Sequence, residues 1–247
     1  MERFGKSSYK KMKSFKEFYI EYMRLKLFFT KSDTSYKDDI YDYTLSFLHG
    51  CLGKNNKYHS VFSNYSITPP LGYVIEGDSI KYPNGASMYI NSNDNEFINN
   101  VVKGILNNKS LKIGDMNYCG MEMYEYNVHS DYDMVRSITP ILLKNKENGK
   151  YITYKDRDDY FKLLETQCKK KLLHCGFNEN KVNKLKFIPF HLENAKTKYV
   201  KFKKGCLPTS QLMFIVEGDR TLRKNLYELG FGNLTGCGFG NIEINKR

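Results

Sequence analysis

The stretch "LGFGNLTGCGFGNIEI", Leu229 to Ile244, has glycine at 230, 232, 236, 238 and 240. Its reading depends on its flanks. Before it, "RTLRKNLYELG" (220–230) predicts a helix that Asp219 can cap. After it, the alternation in "GFGNIEI" predicts a final strand. A phosphate-cradling loop needs the opposite order, strand then loop then helix, so that helix N-terminal N–H groups face the anion. Here the helix points its electronegative C-terminal end at the loop, and no Gly-Lys-Ser/Thr is present. The order argues against Walker or Rossmann nucleotide binding. Two readings stay open. The loop is a tight turn lying flat on a sheet, with glycines supplying positive φ, or a backbone platform that approaches RNA or shapes a cleft between domains.

Upstream, "MVRSITPILLK" (134–144) predicts a buried strand rich in β-branched residues. Over 154–177, Tyr160, Leu163, Leu164, Cys168, Leu172 and Cys175 recur at helical spacing. Asp156, Asp158 and Asp159 crowd the start of that helix and Lys169, Lys170 and Lys171 its later turns, as the helix dipole prefers, and Gly176 marks a stop. "KLKFIPFHLE" (184–193) predicts a second strand, whose Pro189 points to an edge or a bulge. "KTKYVKFKKG" and "CLPTSQLMFIVEGD" predict a hairpin arm and a third strand. The order is β-α-β-β-α-β, the ferredoxin-like pattern shared by RRM modules. The first half repeats it. Strands are expected at 17–29, 60–67 and 79–91, helices at 35–53 and 94–108, and a long strand or bent ribbon at 111–128. The expected class is α+β, with two tandem ferredoxin-like (RRM-like) βαββαβ domains at 17–133 and 134–247, after a basic tail at 1–16.

Net charge is +12, and all of it falls in the second half. Residues 1–135 hold 16 Lys and Arg against 16 Asp and Glu, whereas 136–247 hold 23 against 11. Such asymmetry points to a polyanion, nucleic acid first. The six cysteines form no C-x-x-C pair, so neither a zinc site nor a disulfide framework is expected. No run of eighteen apolar residues predicts a membrane span, and the basic N-terminus lacks the apolar core of a secretory signal. A cytoplasmic protein with reduced thiols is the expectation.

The glycine-rich motif, placed after a helix and before the last strand, resembles the signature of the RAMP superfamily. Within it, the motif is most similar to the CRISPR repeat-processing endoribonucleases, the Cas family numbered six. "SITPILLK" (137–144) is similar to that family's Ser/Thr-Pro strand opening the second domain. "LHGCLGKNNKYHSVFSNYSI" (48–67) is similar to the helix–loop–strand that carries its catalytic histidine. The resemblance implies two ferredoxin-like domains and CRISPR repeat RNA as partner. It implies cleavage without metal or cofactor: the ribose 2′-OH attacks the adjacent phosphate and leaves a 2′,3′-cyclic phosphate and a 5′-OH. Effector-complex proteins and a second copy of the chain are further partners it suggests.

Such chemistry needs a base for the 2′-OH, an acid for the leaving oxygen and donors for the phosphorane. His59 matches the family's loop histidine, and His49 a helix position that elsewhere holds tyrosine or histidine. Tyr43, Lys54, Lys57 and Tyr58 are candidate donors, with Lys57 set to offset the phosphorane charge, although Tyr43 and Tyr58 could equally pack. Family members often place a lysine after the histidine; here none follows His59 before Lys81. His129, His174 and His191 are read as bystanders. In the hairpin arm, alternation would send Lys201 and Lys203 to one face, beside Lys198 and Lys204, as a phosphate-contacting ribbon. Arg220 and Arg223 would guide RNA toward the loop at Gly230, Gly232, Gly236, Gly238 and Gly240. A catalytically silent RAMP-type subunit that binds guide RNA is the alternative. An unrelated RRM module is disfavoured, because the aromatic RNP motifs are missing.

Overall fold

The computed structural model describes residues 23–36, 40–53, 56–58, 62–77, 79–108 and 110–245. The first half contains β1 (Met23–Phe29), β2 (Ser32–Tyr36), α1 (Ile40–Leu52), β3 (Tyr65–Ile67), β4 (Val74–Glu76), β5 (Ser79–Tyr82), β6 (Ala86–Ser92), α2 (Asn95–Asn107), β7 (Lys112–Ile113) and β8 (Met116–Tyr124). The second contains β9 (Tyr132–Ser137), β10 (Leu143–Lys144), β11 (Tyr151–Ile152), α3 (Arg157–His174), α4 (Glu179–Val182), β12 (Lys186–Phe190), β13 (Lys196–Phe202), β14 (Gly205–Gln211), β15 (Met213–Glu217), α5 (Arg220–Leu229) and β16 (Ile242–Ile244).

The main sheets run β3-β6-β1-β8-β7 and β12-β15-β9-β16. Counting only the four strands of each β-α-β-β-α-β unit, both follow the spatial order 2-3-1-4, and every pairing is antiparallel. The tandem ferredoxin-like expectation therefore describes the fold. Each sheet buries one face under its helices. In β1, Leu25, Leu27 and Phe29 alternate into the first core. In α2, Phe97, Ile98, Val101 and Ile105 form the apolar stripe, and the Asp94 carboxylate caps the start by accepting from the N–H groups of Glu96 and Phe97. In α5, Asp219 does the same for Thr221 and Leu222. Pro189 lies on β12, an edge strand, where its missing N–H costs no ladder bond.

Several expectations need correction. The strand expected over 134–144 ends at Ser137. Beyond it, Ile138 and Thr139 both donate to the Asn241 carbonyl, and Pro140 brings no donor to extend a ladder. The chain resumes at β10, which pairs with β11 in a hairpin the sequence reading missed. The first helix starts at Ile40 rather than 35, because Tyr36 closes β2 and packs its ring edge-on against Tyr82 of β5. The expected 60–67 strand is described only as Tyr65–Ile67, and β2, β5 and β4 form an unforeseen three-stranded sheet. The ribbon at 111–128 is the β7–β8 hairpin, turning at Gly114 and Asp115. The tail at 1–16 and the expected strand residues 17–22 lie outside the described residues. No helix among the described residues is long and apolar enough to cross a membrane.

The glycine loop offers a sharp steric test. A Cβ on Gly240, at φ +66°, would lie 1.8 Å from the Phe231 carbonyl oxygen, which is backbone and cannot swing away. Gly149 has a similar φ of +71° but open space around it. Gly240→Ala is expected to cost about 4 kcal/mol or more, against about 1 kcal/mol for Gly149→Ala, which carries strain alone. Equal losses in chemical denaturation would contradict the packing described.

Candidate functional site

The loop between α5 and β16 is interior. All five of its glycines are buried. The Phe231 N–H donates to the Gly240 carbonyl at 2.8 Å, the Asn233 N–H to Leu142 at 2.8 Å, and the Gly240 N–H to Pro140 at 2.9 Å, so the loop is tied to the chain entering β10. Its other side presses on the first domain. A Cβ on Gly236 would meet Ser63 Oγ at 2.6 Å and the Tyr65 ring at 2.9 Å; one on Gly238 would meet the Tyr41 ring at 2.9 Å. Of the two readings left open by the sequence, the loop shapes the junction between domains. Most of its glycines make room for protein, while Gly232 also borders an open groove.

A polar seam holds that junction. Ser66 Oγ on β3 donates to the Glu228 carbonyl at 2.9 Å. It accepts from Asn91 Nδ2 at 3.0 Å and from Asn241 Nδ2 at 3.1 Å. Arg24 is 4 % exposed, reaches Asn241 Oδ1 at 3.3 Å and lies 3.8 Å over the Tyr89 ring, with Tyr126 beyond. Lys171 of α3 donates to the Gly230 carbonyl at 2.9 Å and reaches Leu229 and Thr235. It neutralises the partial negative charge where α5 ends. Burial pushes its ammonium down to about 8. Burial likewise pushes the Glu228 carboxyl up to about 8, and Oε2 has no hydrogen-bond partner among the described residues.

Three elements meet beside the loop. Tyr41 of α1 stacks on Phe239 of the loop at 5.4 Å, and Phe202 at the end of β13 packs edge-on against both. Leu45 joins the same cluster. Tyr41, Leu45 and His49 recur four apart, so half-buried His49 continues the stripe of α1 that faces the loop and the hairpin tip. Tyr43 is off that stripe and packs edge-on against Tyr36 at 6.0 Å. Lys203 and Lys204 form the two-residue turn of the hairpin, with Lys203 at φ +52°. Lys203 is therefore a turn residue, not the strand residue paired with Lys201 that alternation suggested. Lys201 and Lys204 are exposed, whereas Lys198 is half-buried and burial holds its ammonium below the ordinary value.

His59 and Lys54 lie outside the described residues. Flanking His59, Tyr58 is buried, donates to Asp94 Oδ2 at 3.3 Å and packs edge-on against Phe97. Lys57 pairs with Glu96 at 2.5 Å on the surface, and that hydrogen bond raises its pKa. Phe62, on the far side, packs against His174 of α3, centroids 4.3 Å apart. These flanks line a groove of about 650 Å³ that includes Asn64 and Asp94. Sequence reading treated His174 as a bystander and had no signal to place it here, because the contact joins two domains.

Arg220 is exposed at the start of α5, remote along that helix from the loop. Arg223 needs correction. It is fully buried, paired with Asp133, and donates to the carbonyls of Gly218, His129 and Ser130. Tyr227 also donates to Asp133, at 2.8 Å. Arg223 is a structural tie inside the second domain and presents nothing to RNA.

A family model described as CRISPR associated protein Cas6, C-terminal, matches residues 121–244. A Methanocaldococcus jannaschii protein named CRISPR-associated endoribonuclease Cas6 1 is 28 % identical over 192 residues, spanning 73 % of this chain and 72 % of that one. A Pyrococcus furiosus protein named putative CRISPR-associated endoribonuclease-like protein Cas6 is 26 % identical over 183 residues, spanning 72 % and 73 %. A solved structure described as CRISPR associated protein Cas6 shares the fold, with TM-score 0.73 at 22 % identity, over 92 % of this chain and 100 % of that one.

Glu228 gives the seam a pH signature. In the folded chain its carboxyl keeps a proton up to about pH 8, whereas the unfolded chain releases it near 4.3. Its contribution is fully present at low pH and is lost as pH rises through 8. Glu228→Gln cannot ionise. Its melting temperature should match the parent near pH 4.5 and exceed it at pH 8, by a few kcal/mol of stability. A difference independent of pH would place Glu228 in a wetter setting.

Proposed function

Because this chain belongs to the Cas6 family of CRISPR-associated proteins, we propose that it cleaves CRISPR precursor RNA within the repeats by metal-independent attack of a ribose 2′-OH. One observation carries the reading. Tyr41 and Leu45 of α1 pack with Phe239 of the glycine loop and with Phe202 beside the lysine-bearing hairpin turn, and His49 is the next residue four along that helix, which supports a centre at the domain junction. Related proteins named endoribonucleases support the activity class.

The step needs one base and one acid. A histidine of the pair His59 and His49 takes the 2′-OH proton as the 2′-oxygen bonds to phosphorus. The bond from phosphorus to the 5′-oxygen then breaks, and the partner histidine supplies that oxygen's proton. The products are a 2′,3′-cyclic phosphate and a 5′-OH. Holding the 2′-OH in line contributes as much as the proton transfers. Lys57 is available to the phosphorane charge, because the ion pair it makes with Glu96 is exposed, solvent weakens it, and a phosphate competes with it. Lys54, Lys201, Lys203 and Lys204 remain proposed phosphate contacts around this centre, and Arg220 a proposed contact farther along α5.

The test uses end-labelled RNA of the host's own CRISPR repeat, in EDTA. One cut bearing a cyclic phosphate is expected. His59→Ala and His49→Ala should each lower the cleavage rate by about 10²–10⁴-fold, with repeat binding changed less than about threefold. Tight binding without a cut by the parent protein would establish instead a silent guide-RNA subunit. Unchanged cleavage in both variants would remove the histidines from the mechanism.

A further inference from the structure

A second groove, of about 920 Å³, opens between the β10–β11 hairpin and α3. Phe62 and His174 line both it and the groove beside Tyr58, so the two form one continuous channel across the domain junction. Gly232 and Asn233 of the glycine loop form part of its wall. Five exposed lysines face it: Lys144, Lys146, Lys150, Lys162 and Lys170. Glu147, Asp156 and Asp159 oppose them, which leaves an excess of two positive charges before buried Lys171 is considered. The walls are charged and open, unlike the enclosed apolar lining of a small-molecule site.

At the junction of the two grooves stand two rings. His174 is exposed, Phe62 is 39 % exposed, and their planes are tilted by 49°. Phe62 is the first described residue after the segment that carries His59. Partly exposed rings beside a row of lysines suit unpaired bases, which stack on aromatic faces while their phosphates meet ammonium groups. A duplex keeps its bases stacked inside and has no use for such rings.

We propose that this channel holds a single-stranded stretch of RNA adjoining the cleaved bond, with Phe62 and His174 stacking a base at the junction and Lys146, Lys150 and Lys170 meeting the phosphates beyond. The inference rests on the repeat-cleavage reading above, and adds a path for the strand on the second domain, away from the β13–β14 arm. It also gives His174 a role in positioning RNA rather than in proton transfer.

The test compares two triple variants of the full chain. Lys146→Glu/Lys150→Glu/Lys170→Glu alters the channel. Lys31→Glu/Lys103→Glu/Lys112→Glu makes the same charge change on exposed first-domain positions. Affinity for repeat RNA, made uncleavable by a 2′-deoxy sugar at the cut, is measured against salt. Each single-strand phosphate contact contributes about 0.7 to the logarithmic salt slope, so the channel variant should lose about 2 from that slope. It should also bind at least tenfold more weakly at physiological salt, and the control should change less than twofold. Equal effects from both triples, or no effect from the first, overturn the channel. The unaltered protein supplies a check that does not depend on a variant folding: RNA should shield Lys146, Lys150 and Lys170 from acetylation. Lysines left accessible while RNA is bound and cut would overturn the channel, and would point to an acidic protein partner at this face. Parent protein that neither binds nor cuts the repeat would instead sink the cleavage reading itself.

Discussion

One buried hydroxyl sets the relation between the two halves of this chain. Ser66 Oγ gives its proton to the last turn of α5 and takes protons from Asn91 in its own sheet and Asn241 just before β16. None of these groups reaches water, and leaving any one unpaired would cost about 1–3 kcal/mol. The set therefore favours the register that makes these three bonds. That register lays the glycine loop on β3, where Gly236 and Gly238 admit Tyr65 and Tyr41. Tyr41 then meets Phe239 and the hairpin tip, and the stripe of α1 that includes His49 follows. The position of the candidate chemistry descends from a hydrogen bond that takes no part in it.

The interior also redistributes the charge. All the excess positive charge of the sequence falls in its second half, yet Arg223 is consumed by Asp133 and Lys171 by the carbonyls at the end of α5. Neither adds to the surface field as an exposed side chain would. What remains outside includes the two lysines of the hairpin turn and the five along the rim between β10–β11 and α3. A buried guanidinium is tolerable here because its donors meet a carboxylate and three carbonyls. Lys171 has carbonyl and hydroxyl oxygens but no carboxylate, and its lowered pKa records the difference.

Features that obey local rules were legible in the sequence. Asp219 and Asp94 cap the helices they precede, Pro189 occupies an edge strand, and the element order yields two 2-3-1-4 sheets. Features decided by distant partners were not. Arg223 and Arg220 are three apart on one helix; only the position of Asp133, ninety residues earlier, separates a buried tie from a surface cation. Lys203 looked like a strand residue because alternation carries no information on where a hairpin turns. The three-stranded sheet of β2, β5 and β4 was missed because β2 and β4 are too short for periodicity to register, and β5 was read as the start of one strand over 79–91 that the structure splits into β5 and β6. Of the site itself, the helix bearing His49 was legible, but the convergence of that helix with Phe202 and Phe239 was not.

The partners of Ser66 and Asn241 are 175 positions apart. During synthesis the first sheet can therefore close long before its counterpart exists. Until α5 and the glycine loop have left the ribosome, Tyr65 lacks the loop that lies on it and Tyr41 lacks Phe239. Contacts of such long range pay their loop-closure entropy late. The junction is thus the last part of the molecule to form. A chain released before residue 228 would keep its first ferredoxin-like core but lack every wall of the site that the loop supplies.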